Sequence, residues 1–125
     1  MKFLFRSTAY VRIFRNRFVV QVFPAGLQAE TSAAFSHPRL LIGDFEIAEK
    51  CLKDMITSLY KPFFLPGKPV LVMHPKEVLE GGLTTIEGRV LQELGLGAGA
   101  VKCVIWTGAD LDAATLSQAL EGSRQ

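Results

Sequence analysis

The side chain of greatest chemical interest in this 125-residue chain is Glu87. It follows Thr84 by three residues, at the start of a segment with helical apolar spacing. A carboxylate there could help hold a metal ion. It could also accept from the Thr84 amide while the Thr84 hydroxyl accepts from its own, the reciprocal capping box of a helix start. A cap of this kind is worth about 1 kcal/mol. Glu87 is expected to cap with Thr84, and no catalytic residue is expected. Asp44 is another acid at a segment start. No acid precedes Glu30, so Asp44 and Glu87 make a poor carboxylate set for a two-metal nuclease. Glu93 reads as a solvated helix residue.

Other chemistry-bearing residues read as structural. Gly95, Gly97 and Gly99 could pass for a phosphate loop. Such loops precede a helix, so that its first amides face the anion, whereas these follow one. Gly81 and Gly82 do precede a helix and allow a weak anion site at most. His37 and His74 each adjoin a proline, with no Cys or His at ligand spacing, so no metal is expected. Cys51 and Cys103 fit no metal or redox spacing and are expected as reduced, buried thiols. Arg12 alternates with apolar residues and is expected on the solvent face of a strand. A net charge of +2 gives no reason to expect nucleic acid.

These residues need a frame to position them. Hydrophobic residues make up 49% and charged residues 21%, ordinary for one soluble domain spanning residues 1–125. Arg6, Arg12, Arg15 and Arg17 break the apolar start too early for a signal-peptide core. No segment approaches the ~20 apolar residues of a membrane span. A cytoplasmic protein is expected.

Residues 9–14 and 18–23 are β-branched and aromatic, with Arg15-Asn16-Arg17 between them, and predict a β-hairpin. Pro24 to Gly26 turn the chain, and 27–36 are a third strand or a loop. Asp44 caps a helix over 44–60 carried by Phe45, Ala48, Leu52, Met55, Ile56 and Leu59. Pro62, Pro66, Gly67 and Pro69 form a connector. Residues 70–73 are a buried strand. The Thr84 helix buries Ile86, Val90, Leu91 and Leu94 and ends at Gly95, Gly97 and Gly99. Residues 101–106 are another buried strand, and Asp110 or Asp112 caps a last helix. Gly88 is an anomaly, because a mid-helix glycine costs about 1 kcal/mol relative to alanine; close packing against another backbone would explain it. The order predicts an α/β fold: a single ribonuclease H-like layer, with a mixed sheet, an N-terminal antiparallel hairpin and about three helices.

Three stretches resemble the bacterial actin-like protein MreB, over about residues 39–106. GDFEIAEKCLKDMI at 43–56 is similar to the family's ADFDVTEKMLRYFI. FLPGKPVLVMHP at 64–75 resembles FLRPRPRVVVCVP. TTIEGRVLQELGLGAGA at 84–100 is similar without gaps to TQVERRAIRESALGAGA. The resemblance implies the first ribonuclease H-like subdomain of an actin-like ATPase. It aligns Glu87 with the glutamate that orients the hydrolytic water, and Gly88 with an arginine. The family's first strand leads into an Asp-x-Gly-Thr phosphate loop. Its counterpart here is placed at residues 3–10, which hold neither Asp nor Gly. The small-subdomain insertion is missing between about 24 and 39, and the second half of the actin fold is not represented.

The expected function is therefore a non-catalytic MreB-like protein without a cofactor. It would act by contact with a protein partner or by self-association, in connection with the actin-like cytoskeleton or cell shape. Half of an inter-domain cleft would bury too little of a nucleotide. The alternative is a residual nucleotide-binding or ATPase protein that completes its site by oligomerisation.

Overall fold

A computed structural model describes residues 7–60, 69–78 and 80–122. The connector at Pro62, Pro66 and Gly67, and residues 3–6 of the phosphate-loop counterpart, lie outside the described residues.

Strands β1 (Thr8–Phe14), β2 (Arg17–Phe23) and β3 (Leu27–Ser32) run as an antiparallel meander. Helix α1 (Phe45–Tyr60) leads to β4 (Val70–Pro75), helix α2 (Thr85–Gly97) to β5 (Lys102–Ile105), and α3 (Ala113–Gly122) closes the order. The five-stranded sheet has the order β3-β2-β1-β4-β5, with β1-β4 and β4-β5 parallel. Among the described residues this is the expected mixed sheet with three helices.

Strand alternation sorts the core into two layers. Ala9, Val11 and Ile13 of β1 face the side of α1 and α2, where they pack with Phe18, Val20, Leu52, Leu71, Met73 and Leu94. Tyr10, Val70, Val72 and Val104 face the other side, against Leu111, Leu116 and Leu120 around α3. β4 is buried at every position, as its continuous apolar run implies.

The β1–β2 turn places Asn16 at φ 56°, a conformation asparagine tolerates better than most side chains. Of the stretch 3–10 expected to hold the phosphate-loop counterpart, residues 8–10 lie inside β1, and the loop that follows this strand is the Arg15-Asn16 turn. Like that stretch, the turn has neither Asp nor Gly.

Helix α2 departs from its predicted form in three ways. Ile86, expected in the buried stripe, is 77% exposed, and the helix buries Leu91, Leu94 and Gly95 instead. The helix also continues through Gly95 to Gly97. Only Gly99 has a positive φ, 112°, and the Ala100 amide reaches the Gly95 carbonyl in a Schellman closure. Gly95 has a packing role: a Cβ there would collide with Cys103 Sγ. At Gly88 no backbone approaches closely. An added Cβ would have its nearest neighbour at 3.9 Å, Leu83 Cδ2.

Candidate functional site

In this sheet β1 to β3 extend one way and β4 to β5 the other. The order reverses between β1 and β4, and the carboxyl ends of such strands are where open α/β sheets take ligands. A polar cluster occupies that position. Tyr10 and Arg12 come from β1, His74 from β4, and Lys76 from the residue just after it. Gly108 and Asp110 come from the loop between β5 and α3.

The hydrogen bonds fix the protons. The Tyr10 hydroxyl accepts from the Leu111 amide at 3.1 Å and lies 2.6 Å from His74 Nδ1. The Gly108 carbonyl can only accept, so Nε2 of the neutral imidazole is the donor and Nδ1 accepts the Tyr10 proton. His74 Nε2 then carries the imidazole hydrogen and donates to the Gly108 carbonyl at 3.0 Å. His74 is neutral, 2% exposed, and both of its nitrogens are engaged. Burial, with the Lys76 charge, lowers its pKa from the usual 6.5. Burial raises that of Tyr10 above the usual phenol value.

Charge sits at the rim. Lys76 Nζ is 2.6 Å from Asp110 Oδ1, and Arg12 Nη1 lies 3.9 Å from Asp110 Oδ2. The hydrogen bond from Lys76 is the main cause holding the Asp110 carboxyl below the usual range. Arg12, expected on a solvent face, has a side chain only 26% exposed. Its Nε is buried with no partner among the described residues. Arg15 is tied down: its guanidinium donates to the carbonyls of His37 and Pro38, and its amide donates to Glu77.

Sequence reasoning passed over this cluster. Its members are up to a hundred residues apart, and no local spacing marks them. The signal available was a histidine inside an otherwise apolar strand end, which folds only if both nitrogens find partners.

Arg12, His74 and Asp110, each considered singly in the sequence, meet in this cluster, whereas Glu87, Glu93, Asp44 and the two cysteines lie elsewhere. The Glu87 amide donates to Thr84 Oγ1 at 3.1 Å, and Glu87 Oε1 accepts from the Thr84 amide at 2.9 Å, a complete capping box. Glu93 is exposed on the same helix. Asp44 caps α1, accepting from the Ile47 amide at 3.3 Å. Asp112, not Asp110, caps α3. Cys103 is buried as expected, its thiol pushed up to about 12 by desolvation, whereas Cys51 is only half-buried. No group of three or more His, Cys, Asp or Glu among the described residues could hold a metal ion.

An apolar pocket of about 170 Å³ lies at the N-terminal end of α2, between Leu40 to Ile42, Val78, Leu83 and Val90. Glu77 and Glu87 are its charged lining residues. Val78 holds φ 58°, a strained conformation for a β-branched residue.

The chain is 38% identical over 101 residues to "Uncharacterized protein YjaA" of Escherichia coli (strain K12), a match covering 77% of this chain and 80% of that one. Among solved structures it resembles ethanolamine utilization protein EutJ from Carboxydothermus hydrogenoformans, with a TM-score of 0.58 and 14% identity. That likeness covers 79% of this chain but only 36% of EutJ, so the chain spans about a third of that structure. The layer is thus that of a single actin-like subdomain. No family model matches the chain. No helix among the described residues is long and apolar enough to cross a membrane.

Proposed function

The chain belongs to the family of the Escherichia coli protein YjaA, and we propose that it is a non-catalytic protein that acts by contact with other proteins. The observation that carries this reading is the closure of the polar cluster at the carboxyl ends of β1 and β4. His74 bonds to Tyr10 through one nitrogen and to Gly108 through the other, and Lys76 bonds to Asp110. A phosphate held there would have to displace Asp110 from Lys76. A base there would have to be free of its partners, and His74 is not. The cluster fastens the β5–α3 loop to the sheet, which is a structural task. The finer reading is an MreB-like protein in the cytoplasm, connected with the actin-like cytoskeleton or cell shape. The motifs at 43–56 and 84–100 support it.

The test is an amide NMR titration with ATP and magnesium. The expected result is no saturable shift at Arg12, His74 or Gly108 at millimolar nucleotide. Saturable shifts there would replace this reading with its alternative, a nucleotide-binding protein that completes its site with a second copy. One observation favours that alternative: the buried Nε of Arg12 has no partner among the described residues.

A further inference from the structure

The outward face of α2 carries Ile86, Arg89, Glu93 and Leu96, all exposed, at spacings of three, four and three residues. That spacing keeps them in one stripe, the geometry of a helix-packing seam. The apolar ends are uncovered: Ile86 is 77% exposed and Leu96 47%. The charged centre is unpaired. Among the described residues neither the Arg89 nor the Glu93 side chain has a hydrogen-bond or ion-pair partner. Within the helix, Arg preceding Glu by four residues is the less favourable order for a pair.

The stripe reads apolar, basic, acidic, apolar. Positions 86 and 96, and positions 89 and 93, share one midpoint, Leu91. A surface that maps onto itself with the charges exchanged is what an isologous two-fold contact requires. We propose that α2 docks antiparallel against α2 of a second copy of this chain. Ile86 then packs on Leu96 of the second copy, and Arg89 pairs with Glu93 of the second copy, each contact occurring twice. The helix has 13 residues, about 20 Å at 1.5 Å per residue. A contact of that length is at the small end of specific interfaces, so the pairing is a reversible one.

This inference rests on the reading of the chain as a protein-contact module and names its partner. Sedimentation velocity over a concentration series tests it, with circular dichroism to check folding. The wild type is expected to shift from monomer to dimer. Arg89→Glu alone and Glu93→Arg alone, each placing like charges opposite one another, are expected to remain monomeric at concentrations where the wild type is dimeric. An equimolar mixture of the two is expected to form a heterodimer, and the double variant R89E/E93R to recover the wild-type dimer. A wild type that stays monomeric to about 1 mM overturns the proposal. So does a dimer that the single charge reversals leave intact. Such a result, with no nucleotide shifts in the NMR titration, removes the dimer and leaves the non-catalytic reading standing. Nucleotide shifts in a charge-sensitive dimer do the reverse.

Discussion

The Tyr10 hydroxyl and His74 Nδ1, from neighbouring parallel strands and 64 residues apart in sequence, share a 2.6 Å hydrogen bond inside the protein. The phenol is also the acceptor for the Leu111 amide, and the imidazole reaches on to the Gly108 carbonyl. One side-chain pair thus joins the two central strands to the loop that precedes α3. Both nitrogens of His74 and the one proton of Tyr10 are used, so loss of either side chain strands a buried partner.

Tyr10→Phe should therefore destabilise the fold well beyond the loss of one ordinary hydrogen bond. It leaves His74 Nδ1 and the Leu111 amide without a protein partner, and each such buried group costs about 1–3 kcal/mol. Urea unfolding followed by circular dichroism measures the effect. An unchanged midpoint would mean that water takes the place of the hydroxyl.

The same pair makes stability depend on pH. The fold holds His74 neutral, so its pKa in the fold lies below the usual 6.5. Below 6.5 the unfolded chain gains a proton there before the folded chain does, which favours unfolding. The contribution is therefore complete above about pH 6.5 and is lost as pH falls towards the lowered folded value. Asp110 acts in the same direction in a more acidic range, because Lys76 holds its pKa below 3.8. Urea midpoints from pH 8 to pH 5 should be level at first and then fall. His74→Phe should remove the slope between about pH 6.5 and 5.

The frame was largely legible from the residues alone. The β-branched runs around Asn16 give the hairpin, the spacing from Ala48 to Leu59 gives α1, and the unbroken apolar run at 70–73 gives a central strand. Each is a local signal. The polar cluster was not legible, because Tyr10, His74 and Asp110 meet only once the β1–β4 register is set. Ile86 was misread for a related reason. Helical spacing says which side chains share a face, and it does not say how far the neighbouring sheet and loops extend beneath them.

Two glycines of α2 should respond oppositely to alanine. At Gly88 the new methyl group has only an ordinary contact with Leu83 Cδ2 at 3.9 Å. Gly88→Ala is expected to stabilise the protein by up to about 1 kcal/mol through helix propensity. At Gly95 the methyl group would meet Cys103 Sγ, and Cys103 Cβ at 3.2 Å, between α2 and β5. Gly95→Ala should cost about 1–3 kcal/mol by overpacking. Thermal unfolding of the two variants should shift in opposite directions.

The capping box at Thr84 and Glu87 separates a structural from a catalytic use of the one carboxylate that resemblance to an ATPase singles out. Thr84→Ala removes the acceptor of the Glu87 amide and should cost about 1 kcal/mol. Glu87→Gln keeps an oxygen that can accept from the Thr84 amide, now at 2.9 Å, since Gln serves the same box as Glu. It should change stability by only a few tenths of a kcal/mol, the loss being the favourable charge at the helix N-terminus. Glu87→Ala lacks that oxygen and should resemble Thr84→Ala. Denaturant midpoints ordered wild type, Glu87→Gln, then the two alanine variants are the expected result. A phosphate-release assay run on the same samples should find no ATP hydrolysis that depends on Glu87. A rate present in the wild type and absent in Glu87→Gln would make the carboxylate a catalytic one.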